Sequence, residues 1–265
     1  MSGHRRSADG GFLFFAIVVA LVSKYFWVLL IVAVIIVLVL LCRRAAREED
    51  VSDPSDLPPI LASPPSTSYF DYKSIARSVG IEFSEISFSA LKKRIAETGF
   101  VALDFETTGL HPEEGDRIIE VAAIYYDSAC RQTASYTTLV YPGRLIPWEA
   151  SEKNHITNAM VARKPMAATV MPQLLEFLSR FNAPLVAHNA KFDIDFLEAE
   201  LARLLIPFRA EYADTLAYSH RAFSGLSGYD LGTVCRHIDH TIQSQHRAFG
   251  DAQGVAAIVR NACDS

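Results

Sequence analysis

Residues 101–110 read VALDFETTGL, with Phe100 just before them. The apolar run leads into Asp104, and Glu106 follows on the far side of Phe105. A short apolar run bounded by Gly99 and Gly109 reads as a buried strand. Side chains on a strand alternate between faces, so Asp104 and Glu106 share one face and Phe105 takes the other. Two neighbouring carboxylates repel unless a cation or a proton lies between them. A plainer explanation also exists: acids end strands and cap turns, and a D-x-E pattern by itself is weakly specific.

The sequence around this strand supplies a sheet. RIIEVAAIYYD (117–127) and TASYTTLVYP (133–142) read as the next two strands, and no helical spacing separates the three, which implies a meander. From Pro165 to Phe181, Leu174, Leu175 and Leu178 fall on one helical face. APLVAHN (183–189) is another short buried strand, AKFDIDFLEAELARL (190–204) the helix after it, and AEYADT (210–215) a fifth strand. Helices are expected over Leu216–Ala222, Tyr229–His237 and Phe249–Ala262. The result is an α/β fold, a mixed sheet flanked by helices, over residues 98–265.

Upstream, ISFSALKKRIAE (86–97) has amphipathic spacing, with Leu91 and Ile95 opposite Lys92, Lys93 and Arg94, so residues 71–97 read as a helical lead-in. Residues 43–70 read as a linker: the stretch REEDVSDPSDLPPILASPPSTS (47–68) holds five prolines and an acidic cluster without apolar periodicity.

The chain's 265 residues suffice for one good-sized domain plus appendages. Beyond an N-terminal tail (1–11), only Ser23 and Lys24 are strongly polar between Phe12 and Cys42. As a helix, that run would extend roughly 46 Å, against a bilayer core of about 30 Å. A transmembrane segment at 12–42 is expected. No small-x-small cleavage site follows Arg5 and Arg6, and apolar sequence resumes after Lys24, which argues for retention over cleavage. One tilted span and a hairpin turning near Lys24 are both open, although Phe12–Ser23 is a short arm for a crossing. Arg43, Arg44 and Arg47 outnumber Arg5 and Arg6, so the positive-inside rule places the C-terminal domain in the cytoplasm, on the inner or plasma membrane. Cys42, Cys130, Cys235 and Cys263 show no C-x-x-C spacing, which speaks against a disulfide framework or a thiolate zinc site.

Two further stretches bear on the carboxylates. HNAKFDIDFL (188–197) places Asp193 early in a helix after a strand, and HRAFGDAQGVAAI (246–258) places His246 five residues before Asp251 at the start of the last helix. Three segments thus present acids where strands meet helices, the usual ligand edge of an α/β sheet. Hard oxygen donors without a thiolate suit Mg²⁺ or Mn²⁺. Two such ions about 3.5–4 Å apart activate a water and stabilise a leaving oxygen in phosphoryl chemistry. His246 would add a general base.

DFETTGL, HNAKFDIDFL and HRAFGD, in this order, resemble the three motifs of the DEDDh 3′–5′ exonucleases, above all the proofreading exonuclease subunit of bacterial replicative DNA polymerase and its relatives. The resemblance covers about 98–265 and implies a ribonuclease-H-like fold and two Mg²⁺ or Mn²⁺ ions. It implies that Asp104, Glu106 and Asp251 hold the metal carrying the nucleophilic water, that Asp104 bridges to the second metal, that Asp193 assists through water, and that His246 takes the proton. Thr107, Thr108, Gly109 and Leu110 would meet the 3′-terminal nucleotide, Leu110 lying against a base. His188, Asn189 and Phe192 resemble strand-contacting residues. KNHITNAMVARKP (153–165) resembles the family's H-G-I-T stretch, but Asn154 stands where histidine is usual and His155 where glycine is. That departure bears on nucleotide contacts rather than on the metal site. Glu120, Asp195, Asp214 and Asp230 read as structural, and His220, His237 and His240 receive no role.

From 98 to 265 there are 14 Lys and Arg against 20 Asp and Glu, and 14 − 20 gives −6. A long duplex footprint calls for a basic face. An acidic domain fits a short footprint around a single-stranded or frayed 3′ end, with DNA favoured and RNA an alternative. The expected function is a membrane-tethered, metal-dependent exonuclease releasing nucleoside 5′-monophosphates. The alternatives are an oligoribonuclease-like RNA exonuclease, a non-catalytic nucleic-acid- or protein-binding module on the same fold, and a scaffold recruiting a polymerase or another protein through residues 71–97. A lost ligand would mark the non-catalytic case, and none is lost.

Overall fold

The computed structural model describes residues 69–264. The tail, the expected transmembrane segment 12–42 and all but the end of the linker lie outside the described residues. Among the described residues, no helix is long and apolar enough to cross a membrane.

The chain enters through α1 (Tyr72–Val79), which Asp71 caps by accepting from the Ser74 N–H at 3.0 Å and Gly80 closes in the left-handed region. Strand β1 (Glu82–Glu85) and helix α2 (Phe88–Thr98) follow. Then come β2 (Phe100–Thr107), a 3₁₀ turn (Pro112–Glu114), β3 (Ile118–Tyr126) and β4 (Gln132–Leu139). Helices α3 (Trp148–Asn154), α4 (Asn158–Val161) and α5 (Ala167–Ser179) precede β5 (Leu185–Ala187), α6 (Ala190–Leu204) and β6 (Arg209–Asp214). Finally come α7 (Thr215–Ala222), α8 (Leu231–His237) and α9 (Ala248–Asp264).

The six strands form one mixed sheet in the order β1-β6-β5-β2-β3-β4. The first three strands after α2 are the expected antiparallel meander, and three parallel-paired strands extend the sheet on the other side of β2: β2 pairs in parallel with β5, β5 with β6, and β6 with β1. Alternation along β2 sorts the core. Val101, Leu103 and Phe105 pack with α1, α5 and α6, whereas Phe100 and Ala102 pack with α2 and α9. Asp104 and Glu106 continue the second row and therefore emerge on the α9 side. The face of α9 on this layer is made of Ala248, Ala252, Val255 and Ala256, all buried, and small side chains let the helix lie close to β2 and β3.

The lead-in does more than precede the sheet. β1 is its edge strand, and Lys73 on α1 pairs with Asp195 at 2.8 Å and with Glu198 on α6. A four-residue edge strand with mostly exposed side chains shows no alternation to read, which is why the sequence discloses only the helix after it. Helices α3 and α4 were equally silent: α3 spans seven residues, and its one buried member is polar, Asn154.

Candidate active site

Four acids arrive at one end of the sheet by three routes. Asp104 and Glu106 come from the C-terminal half of β2. Asp193 sits in the first turn of α6, which leaves the C-terminal end of β5, and Asp251 in the first turn of α9. The N-terminal turn of a helix favours a negative charge, which suits both positions. Ligand oxygens of Asp104, Glu106 and Asp251 lie within 4.8 Å of one another. Asp193 stands outside that trio. It is buried, and its Oδ1 accepts from the Phe105 N–H at 3.0 Å, between the two β2 acids. β5 stops short of this point, since its register with β2 ends at Ala102↔Val186. Asp193 thus accepts from a strand amide lying beyond the β2–β5 pairing, and its place is fixed by that bond.

Crowding of carboxylates shows in their acidities. Burial, then the charges of Asp193, Asp251, Glu106 and Glu120, hold Asp104 well above the usual carboxylate range. Burial, then Asp251 and Glu120, push Glu106 up to about 7. Burial pushes Asp251 up to about 6, against the pull of the His246 amide and Lys153. Asp193 is also raised well above its ordinary value, chiefly by burial. Among the described residues, Asp251 Oδ1 is buried with no hydrogen-bond partner. An orphaned carboxylate oxygen on an acid crowded by two others fits a hard divalent cation, which would offset two of the three negative charges.

His246 precedes α9 in a turn where its own φ is 61°. Its backbone N–H donates to Asp251 Oδ2 at 3.0 Å, coupling the imidazole's position to a metal-site acid. Burial, Lys153 and His155 lower its pKa below the ordinary value, so the ring is neutral and able to accept a proton near neutral pH. Gly250 makes this turn possible: a Cβ there would stand 2.5 Å from the Ser244 carbonyl oxygen.

Sequence reasoning treated Glu120 as structural and overlooked what it holds. It pairs with Glu106 across β2 and β3 and is buried. Arg247 grips it through two bonds, Nη2–Oε1 at 2.6 Å and Nε–Oε2 at 3.0 Å, and the Ala248 N–H donates to Oε2 at 3.0 Å. The two residues that directly follow His246 are thus tied to β3. A clue lay in the sequence: Arg247 follows the histidine directly, and a buried acid on β3 needs a cation.

The expected substrate residues divide. A cleft of about 600 Å³ is lined by Asp104, Glu106, Asp193, His246 and Asp251, and also by Thr107, Thr108, Gly109, Leu110, His188 and Phe192. Leu110 is 64% exposed at its edge, free to meet a base. Thr108 differs from the expectation: its hydroxyl donates to Asp116 at 3.0 Å and accepts from the Arg117 N–H, so it secures the loop. Gly109 is required by the same aspartate, because a Cβ would stand 2.2 Å from Asp116 Oδ2. Thr107 donates to the Gly109 carbonyl at 2.6 Å. Both ring nitrogens of His188 are engaged, at 3.0 Å from the Thr215 hydroxyl and 2.8 Å from the Tyr229 carbonyl, so its polar atoms serve the scaffold. Asn189 does not line the cleft, and its N–H donates to Asp214 at 2.9 Å. Phe192 leans on Phe196 with ring centroids 4.9 Å apart while one edge faces the cleft. Asp214 and Asp230 cap α7 and α8.

The unusual pair in the next loop also has a structure. Asn154 is buried; its Oδ1 accepts from the Ile156 N–H at 3.0 Å, and its amide approaches the Thr107 carbonyl at 3.4 Å. His155 closes α3 with φ 59°, the left-handed conformation that glycine adopts without strain. His155→Gly is accordingly expected to raise the melting temperature by about 2 °C, from relief of roughly 1 kcal/mol. A thermal melt showing a clear fall would mean that the imidazole makes contacts outweighing that strain.

The exonuclease family model (RNase_T) matches residues 101–259. The chain belongs to the exonuclease family. It is a hydrolase, a 3′–5′ exonuclease. The exonuclease is 39% identical over 157 residues to the DNA polymerase III subunit epsilon of Treponema pallidum, covering 58% of this chain and 71% of that protein. It is 32% identical over 161 residues to the PolC-type DNA polymerase III of Clostridium perfringens, but covers 11% of that longer protein. The nuclease domain of 3′hExo, a DEDDh family member solved with rAMP, superposes with a TM-score of 0.55 at 17% identity, over 63% of this chain and 92% of that one. Exonuclease I of E. coli, solved with an oligonucleotide, gives 0.53 at 20% identity over 62% and 40%. At these identities the two structures speak for the fold alone.

Proposed function

We propose that the exonuclease hydrolyses the terminal phosphodiester at the 3′ end of single-stranded or frayed DNA, releases nucleoside 5′-monophosphates, depends on Mg²⁺ or Mn²⁺, and is held at the membrane through residues 12–42. The observation that carries the catalytic part is the convergence of Asp104, Glu106 and Asp251 within 4.8 Å, in one cleft with His246. Divalent cations held by these three acids supply water activation and stabilisation of the departing 3′-oxygen.

The chain's own residues do the rest. His246 accepts the proton as the water oxygen attacks phosphorus and the P–O3′ bond breaks, leaving a mononucleotide and a strand one unit shorter. Asp251 steadies the histidine through its backbone amide. Asp193 fixes β2 between the two strand acids. Leu110 and Phe192 offer apolar surface to the terminal base, and the net charge of 14 − 20 = −6 over 98–265 favours a short single-stranded footprint. The kinship to epsilon subunits supports a polymerase as a protein partner.

The full chain, given end-labelled single-stranded DNA or RNA with Mg²⁺, Mn²⁺ or EDTA, is expected to shorten DNA stepwise from its 3′ end and to be silent in EDTA. Preference for RNA in the same assay would move the substrate assignment. Deletion of residues 12–42 is expected to shift the activity from the membrane fraction to the supernatant. Activity that stays soluble with those residues present would remove the tether.

A further inference from the structure

We propose that Lys153 is a phosphate-contacting residue of this exonuclease, its ammonium meeting a non-bridging oxygen of the strand lying in the cleft. The inference rests on the nucleic-acid substrate proposed above. The cleft is lined by the carboxylates of Asp104, Glu106, Asp116, Glu149, Asp193 and Asp251, and by one Lys or Arg side chain, that of Lys153. Asp116 has its own counter-charge in Arg144 at 3.2 Å. A polyanion entering so acidic a cleft needs fixed positive charge in addition to that of bound cations.

Lys153 is placed and free to supply it. It is exposed in the last turn of α3, on the cleft side. Glu149 precedes it by four residues, the spacing of a helical ion pair, yet among the described residues Lys153 makes no ion pair or hydrogen bond. Its charge is nevertheless felt at Glu106, Asp251 and His246, which places the ammonium within electrostatic reach of the reacting end. A compact ammonium on a flexible stem suits a phosphate oxygen that moves as the strand advances. The competing explanation is a solvated cation that merely complements the C-terminal end of α3.

Salt dependence separates the two. In the full chain carrying His246→Ala to halt turnover, the affinity for a labelled single-stranded oligonucleotide at fixed Mg²⁺ is measured by anisotropy between about 50 and about 200 mM salt. Adding Lys153→Ala is expected to flatten the slope of log K against log salt by about 0.7, one phosphate contact, whereas Lys153→Arg keeps the slope. With His246 intact, Lys153→Ala should raise KM several-fold and change kcat little. An unchanged slope, or Lys153→Arg failing together with a lowered melting temperature, overturns the role. A wild-type chain that neither binds nor shortens any strand overturns instead the substrate on which the role depends.

Discussion

Asp251→Asn is expected to reduce hydrolysis by at least about a thousand-fold, the equivalent of roughly 4 kcal/mol of lost metal-assisted stabilisation, while the metal-free protein becomes more stable at pH 8. The two effects have one origin. Asp251 is forced close to Asp104 and Glu106, with one oxygen buried and unbonded. When ionised in the absence of metal it costs stability, and that cost is the source of the site's affinity for a cation. Asparagine keeps the shape and an acceptor for the His246 amide but removes the charge.

The sign follows from the folded-state acidities. Glu106 is raised to about 7 and Asp251 to about 6 by burial and by neighbouring acids. Between the ordinary carboxylate values and these raised ones, the folded protein binds protons that the unfolded chain has released, so stability falls as pH rises. The contribution is fully present below about pH 4 and is lost as pH rises through about 6 for Asp251 and about 7 for Glu106. Thermal melts of the EDTA-treated protein should therefore decline across that window, Asp251→Asn should gain about 3 °C at pH 8 and little at pH 4, and Mg²⁺ should raise the wild-type melting temperature more at pH 8 than at pH 5. A melting temperature independent of pH in EDTA would mean that the acids do not share the electrostatic strain their spacing implies.

How far the sequence could be read depended on what kind of force sets each element. Strand β2 and the two helices bearing Asp193 and Asp251 were legible because apolar runs and periodic leucines and alanines reflect burial, which is written locally. α6 appears over the same 15 residues that its sequence pattern marks, Ala190–Leu204. β1 was hidden because an exposed edge strand needs only backbone partners, and α3 because its stability comes from the loop around buried Asn154. The acids could be named individually, whereas the difference between the clustered trio and Asp193, locked to the Phe105 amide, depends on where β5 ends. Gly109 illustrates the same limit: its place in the motif suggested room for a nucleotide, and the structure shows the carboxylate of Asp116 filling the position a Cβ would take. Thr108 and His188 both line the cleft, but the sequence does not disclose the hydrogen bonds that hold their polar atoms, to Asp116 and Arg117 in the one case and to Thr215 and Tyr229 in the other.

Glu120 provides the second large effect, and it separates holding the fold from holding the site. Its carboxylate carries the Arg247 guanidinium and the Ala248 amide, the two residues directly after His246. Glu120→Ala leaves that partly exposed guanidinium without its buried partner and frees the His246 turn, so a loss of about 3 kcal/mol of stability and a fall in kcat of about a hundred-fold are expected, with KM little changed. The rate term reflects displacement of a base that must sit within hydrogen-bond reach of the attacking water. If Glu120 acted only as ballast for the fold, restoring stability would restore the rate. The double replacement Glu120→Met with Arg247→Met tests this, since an apolar pair can replace a buried ion pair at little cost in stability. Stability should largely recover in the double variant. The rate should not, because a methionine offers the Ala248 amide no acceptor and leaves the turn carrying His246 unanchored to β3. Recovery of both in parallel would show that the clamp contributes nothing to positioning the histidine.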